Sequence, residues 1–302
     1  MEAYNAEVTA LIEADPRTCG IFAGDMFDDG WRERKCPPEL INFVIRTFPP
    51  RTYGVPGQHD LPHHDLSAIW KSAYWTVKEA GKIHNLRAGL PVYPGTVPTY
   101  PSASSPLVLY GFPWGAPLKD YTDRRDPRNA TRTVHVAVCH KHVWRKGDGD
   151  YRGADKNNMV SVTAKALTGY DVGVFGDNHA GFLSKSQKKG QPTILNCGTF
   201  MRRRVDEKNY VPQVGLIYSD GSVIRVPLKS AKADVVSAKA GKGLESVGID
   251  PGEFSEALDS LADVVADFDL AVRKYAEKKG LKGSVVEMLV ELLKRGADGV
   301  KK

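Results

Sequence analysis

Apolar and polar positions along the first 230 residues follow two periods, one helical and one extended. Val8, Leu11 and Ile12 recur at helical spacing within 4–14, and CGIFAGD then reads as a buried strand running into a turn. Pro37 and Pro38 open a second helix whose apolar positions are Leu40, Ile41, Val44 and Ile45. RTYGVPGQHD is a short strand leading into a loop, and a helix around 67–80 closes at Gly81. Proline and serine make 90–106 irregular loop or edge structure. LVLYGFPW and TVHVAVCH predict two further strands, and a helix near 158–168 leads into the strand of YDVGVFGDNH. PTILNCGTF, VPQVGLIYSDG and SVIRVPLK predict a closing antiparallel meander, with Asp220-Gly221 at its hairpin turn.

Helix–strand alternation followed by paired strands predicts an α/β fold with sheets inside and helices outside. Between 230 and 250 the composition shifts to Ala, Lys, Gly and Ser, as in a linker. Beyond Pro251, Phe254, Leu258, Leu261, Val265, Phe268, Val272 and Tyr275 form a heptad-like stripe. A second helix starts near Ser284, with Val286, Leu289 and Leu293 on one face. The expected organisation is a domain over 1–229, a linker over 230–250 and a C-terminal helical hairpin within 251–302.

Composition narrows the class. A 302-residue chain with 41% hydrophobic and 26% charged residues has the make-up of a soluble globular protein with a large core. No apolar run reaches the length of a membrane-spanning helix. The acidic, amphipathic start lacks the basic and apolar regions of a signal peptide, so none is expected. Four scattered cysteines (Cys19, Cys36, Cys139 and Cys197) with no CxxC pair suit a reduced, cytoplasmic protein. The net charge of +6 suits a polyanionic partner. Lys185, Lys188, Lys189, Arg202, Arg203 and Arg204 concentrate that charge in one stretch.

Four of the strands end in loops dense with metal-ligand residue types: GDMFDD at 24–29, GQHD at 57–60, CHKH at 139–142 and GDNH at 176–179. Loops at the carboxyl ends of strands in an open α/β sheet converge on one crevice. Phosphodiester attack needs a strong nucleophile and relief of phosphoryl charge, and two divalent ions about 3.5–4 Å apart supply both. Carboxylate and imidazole donors suit manganese, iron or zinc better than magnesium alone.

The order and content of these loops resemble the calcineurin-like metallophosphoesterases. Gly24-Asp25-Met26-Phe27-Asp28 matches that family's Gly-Asp-x-x-Asp, and Gly57-Gln58-His59-Asp60 its Gly-Asn-His-Asp/Glu with Gln for Asn. His140 fits the lone histidine after a strand, and Gly176-Asp177-Asn178-His179 the final Gly-His-x-His with Asp for the first His. Asn196-Cys197-Gly198-Thr199 looks like the turn that often follows, and the resemblance covers roughly 1–228. It implies a sandwich of two mixed β-sheets flanked by helices. It also implies that Asp25 bridges two metals, with Gln58, His140 and Asp177 completing one site and His179 serving the other. His59 would be the non-ligand histidine that protonates the leaving oxygen or stabilises the transition state, oriented by Asp28. His63 and His64 are candidates for substrate binding, with Arg202, Arg203 and Arg204. His142 would point away from the site, two residues along the strand end.

The family's first motif, Asp-x-His, is missing; the chain's Asp177-Asn178-His179 is already used by the last motif. Three accounts stand: a start set downstream of the true one, which is the favoured account, a strand supplied by another chain, or a single-metal or inactive descendant. Mn2+ is the expected cofactor, with Fe2+, Zn2+ or Mg2+ as alternatives, and two ions bind if the missing motif is supplied. Within the family the GDMFDDGW and GQHDLP loops and the C-terminal extension look most like the nuclease subunits of double-strand-break repair complexes and their phage-type relatives. That implies DNA exo- or endonuclease activity, with a partner ATPase or a second copy bound through the C-terminal helices. Two other readings are a catalytically impaired DNA-binding or assembly protein and a phosphodiesterase for small nucleotide diesters.

Overall fold

The computed structural model describes residues 1–31, 36–94, 107–120, 133–147, 154–185, 188–202, 207 and 209–230. All of them belong to the unit Met1–Val235. The linker after Ser230, the helices expected over 251–302, and Arg203 and Arg204 lie outside the described residues.

Within them the chain is mixed α/β. Helix α1 (Glu2–Glu13) precedes strand β1 (Gly20–Phe22), helix α2 (Pro38–Thr47) and strand β2 (Thr52–Gly54). Helix α3 (Ala73–Glu79) leads to β3 (Ile83–Asn85), followed by β4 (Pro91–Val92), β5 (Leu107–Phe112) and β6 (Val134–His140). Helix α4 (Val160–Ala166) then precedes β7 (Val172–Gly176), β8 (Phe182–Ser184), β9 (Thr193–Asn196), β10 (Gln213–Ile217) and β11 (Val223–Pro227). None of the described helices is long and apolar enough to cross a membrane.

The strands form a parallel sheet β1-β2-β3, a mixed sheet β4-β5-β6-β7-β9-β8 and the antiparallel hairpin β10-β11. Strand β6 explains how the layers pack, because successive side chains leave opposite faces. Val134, Val136 and Val138 enter one core with Val55, Leu86, Val172, Leu195 and Val223. Ala137 and Cys139 enter another with Phe175, Ile194, Ala164 and Leu167. The six-stranded sheet is therefore covered on both faces, which is why β5, β6 and β7 read as nearly continuous apolar runs. A third core of Phe27, Val44, Ala73, Tyr74, Val77 and Ile83 lies among α2, α3 and the three-stranded sheet. Each fully buried Val, Leu or Phe side chain stabilises the fold by about 1.5–3 kcal/mol.

Several elements depart from the sequence pattern. The segment PTILN does not open a meander: β9 pairs in parallel with β7 and antiparallel with β8, while β10 and β11 pair only with each other. In α1, Leu11 is exposed, and the buried positions are Ile12 and Asn5, whose amide donates to Thr47 Oγ1 at 3.1 Å. Leu40 of α2 also faces outward. The expected helix at 67–80 divides into 3-10 turns over Leu66–Lys71 and α3, because the Ser72 hydroxyl accepts the Trp75 amide and starts a new helix.

Candidate metal centre

Strand register brings the carboxyl ends together. His140 stands opposite Gly176 across β6 and β7, and Phe22 opposite Gly54 across β1 and β2. The two sheets meet where His140 Nδ1 donates to the Ala23 carbonyl at 2.5 Å. Glycines allow this approach. A Cβ on Gly24 would stand 2.2 Å from His140 Nδ1, and one on Gly57 would stand 2.1 Å from Asp25 Oδ1.

Around that junction, ligand atoms of Asp25, His140 and Asp177 all lie within 4.8 Å of one another, so this partly buried group can hold a metal ion. His140 Nε2 is 3.2 Å from Asp25 Oδ2 and 2.6 Å from Gln58 Oε1. The Gln58 amide donates to Asp177 Oδ1 at 3.0 Å, and the His59 amide donates to Asp25 Oδ1 at 2.9 Å. Asp25 and Asp177 both have left-handed backbone, with φ of 58° and 78°. Aspartate enters that region more readily than most residues, and such conformations gather at functional sites.

The donor set fits a cation. A carbonyl oxygen can only accept, so Nδ1 of His140 carries hydrogen. Nε2 then faces two oxygen acceptors and requires either a second proton or a metal ion between them. A ligating histidine that donates its other ring nitrogen to a backbone carbonyl is the usual arrangement in metal sites. Burial alone would lower the His140 pKa, yet the Asp25 carboxylate, the Ala23 carbonyl and the Asp177 charge raise it above its ordinary value. Burial pushes the Asp25 pKa up, but His140 and the His59 amide outweigh it and leave that carboxyl below its usual range.

His59 lies at the side of this group. Its Nδ1 is 3.7 Å from Asp29 Oδ1 and 3.9 Å from Asp28 Oδ1, so Asp29 shares the flanking position expected of Asp28 alone. His179 is not part of the metal-capable group; its Nδ1 lies 2.5 Å from Glu207 Oε1, and its side chain is 52% exposed. His142 is likewise outside the group. His63 and His64 are exposed, and the His64 ring is 6.5 Å from that of His59. Lys185, Lys188 and Lys189 are exposed and Arg202 is half-buried.

Four residues act here in ways that their sequence context does not signal. Asp60 is fully buried and accepts the Gly57 amide at 3.0 Å and the Phe27 amide at 3.1 Å, tying two ligand loops together. Burial and the nearby Asp25 charge push its pKa up to about 6. Asn178, between Asp177 and His179, is buried and donates to the Val143 carbonyl at 2.8 Å, anchoring that loop. Trp114, whose ring lies 6.5 Å from that of His140, and Glu207 are the others; the second appears only as an acid in a charged stretch, with its partner 28 positions away. Comparison with models of known families finds no match, and no curated protein matches the chain significantly.

Proposed function

We propose that this protein is a metal-dependent phosphodiesterase acting on DNA, of the calcineurin-like metallophosphoesterase kind that its loops resemble. The carrying observation is the convergence of Asp25, Gln58, His140 and Asp177, from four separate strand ends and the loops after them, at an imidazole nitrogen facing two oxygens. Two sheets sharing one core, with helices against their outer faces, support the sandwich fold of that family. These four residues hold the cation, and mixed carboxylate, amide and imidazole donors favour Mn2+ among the divalent ions considered. When bound, the cation lowers the pKa of a coordinated water and offsets charge on the phosphoryl oxygens. His59, with Asp28 and Asp29 beside it, donates the proton to the leaving oxygen. The exposed lysines at 185, 188 and 189, together with Arg202, supply contacts to backbone phosphates.

The test is incubation of the purified chain with end-labelled linear DNA and Mn2+, with EDTA and His59→Ala as controls. Cleavage that both controls abolish is the expected result, and absence of cleavage in the unmodified protein removes the reading. A second reading, a catalytically impaired DNA-binding protein, draws on the pairing of His179 with Glu207 away from the metal-capable group. It predicts DNA binding without turnover, indifferent to His59→Ala.

A further inference from the structure

We propose that His64 and Trp114, braced by the neighbouring Trp31–His63 ring pair, form a nucleobase-stacking site beside the metal centre that grips the nucleotide next to the scissile phosphate. The proposal rests on the phosphodiesterase reading above for what lies at that centre.

The site is built from a fixed base outward. Leu61 and Pro62 are buried, and immediately after them His63 and His64 both adopt left-handed backbone, with φ of 53° and 60°, and both are exposed. Two adjacent non-glycine residues in that region are held there only when their surroundings demand it. Two tryptophans are among those surroundings. The Trp31 ring lies 4.5 Å from that of His63, and the Trp114 ring 6.5 Å from that of His64. Trp114 is fixed through its amide, which donates to the carbonyl of Pro56, the residue before Gly57.

The rings lead directly to the chemistry. Trp114 is 6.5 Å from the His140 ring, and His64 is 6.5 Å from the ring of His59. These pairs meet edge to face, at 66° and 72°, rather than stacking on one another. The half-buried indole of Trp114 and the exposed imidazole of His64 are therefore one ring's breadth from the ligand His140 and the acid His59, respectively. A phosphodiester whose phosphate occupies that position carries its flanking base over them. Every base has a π-face, so such a platform binds without regard to sequence. A planar base is thus the ligand whose chemistry matches both the aromatic surface and its place beside His59 and His140.

The test compares dAMP with deoxyribose 5-phosphate, which has the same sugar phosphate and no base, by intrinsic tryptophan fluorescence and calorimetry on the full chain. Titrations are made in Mn2+ and repeated in EDTA. In both conditions dAMP is expected to bind about 5- to 100-fold more tightly than deoxyribose 5-phosphate. Trp114→Ala and His64→Ala should each reduce that ratio while leaving deoxyribose 5-phosphate affinity unchanged. Equal affinities for the two compounds in the unmodified protein overturn the proposal. So does an unchanged ratio in His64→Ala, whose side chain is exposed, even if Trp114→Ala misfolds. DNA cleavage with equal affinities defeats the stacking site alone; a base-dependent ratio without cleavage defeats the hydrolase reading alone.

Discussion

A Cβ on Gly24 would also stand 2.8 Å from the Gly57 nitrogen, and Gly24 has a φ of 95°, where side chains are strained. Gly24→Ala must therefore push apart the loops carrying Asp25, Gln58 and His140. A loss of more than about 1 kcal/mol of stability is expected in urea unfolding, together with loss of Mn2+-dependent cleavage. Asp60 makes a different kind of contribution, since each carboxylate oxygen accepts a different backbone amide. Asn can accept only one of them and turns its NH2 toward the other, so Asp60→Asn should cost about 1–3 kcal/mol, read as a lower urea midpoint. Glu207 is 6% exposed and accepts from His179 Nδ1, leaving Nε2 as the outward nitrogen. Glu207→Ala should reduce cleavage about 10- to 100-fold if His179 serves the cation or the substrate, as orienting partners of ligands do. Glu207→Gln, which keeps an acceptor, should retain most activity; equal rates for Ala and Gln would show that the hydrogen bond is not what matters.

At the scale of elements, legibility followed length and apolar continuity. β6 is seven residues of nearly unbroken apolar sequence ending in His140, and β7 ends at Gly176-Asp177, so strand and ligand loop are both visible. β3 (Ile-His-Asn) and β8 (Phe-Leu-Ser) are three residues each with one buried position, too short to establish a period of two. Their existence depends on neighbours, β2 and β9, which local sequence does not identify. Candidate ligands were legible because each stands at or just after an apolar stretch, even the three-residue strands β1 and β2, within a loop dense in ligand types; the tasks of Asp60 and Glu207 were not, because burial and tertiary partners create them. Helix α1 illustrates the same limit. Glu7 accepts the amides of Lys229 and Ser230 at 2.8 and 2.9 Å, 222 and 223 residues away, and clasps the end of the segment after β11. Those amides, Lys229 first, hold the Glu7 carboxyl below its usual range. A carboxylate with a depressed folded pKa contributes above its unfolded value, near 4.5, and that contribution disappears as pH falls through the folded value. Amide exchange at Lys229 and Ser230 should therefore be protected at neutral pH, and that protection should be lost in acid. Glu7→Ala, which keeps no acceptor, should show little protection at either pH; equal protection in both proteins would remove the clasp.

For the molecule as a whole, the metal-capable group joins two sheets rather than sitting within one. Asp25 and Gln58 follow strands of the three-stranded sheet, whereas His140 and Asp177 come from the six-stranded sheet. Asp25 and Gln58 each aim an oxygen at the same imidazole nitrogen of His140, Asp177 stands in the same group, and Asp60 lies within electrostatic reach of Asp25. A divalent ion held there would relieve that crowding of negative charge and link the two sheets through ligands that the unfolded chain does not hold together. Binding to the folded state alone stabilises by about 2.7 kcal/mol at a concentration one hundred times Kd. For a unit of roughly 150–250 residues each kcal/mol moves Tm by about 2–4 °C, so the expected rise is about 5–10 °C. Saturating Mn2+ should produce it and EDTA should reverse it. His140→Ala loses the contact with the Ala23 carbonyl and so starts from a lower Tm, but the Mn2+-dependent rise, read against the same variant in EDTA, should be abolished because the bridging ligand is gone. His179→Ala should leave most of it intact, since that residue pairs with Glu207 outside the group. A Tm that ignores Mn2+ in the unmodified protein, or a rise that survives His140→Ala, would move the cation, and with it the chemistry, away from the junction of the two sheets.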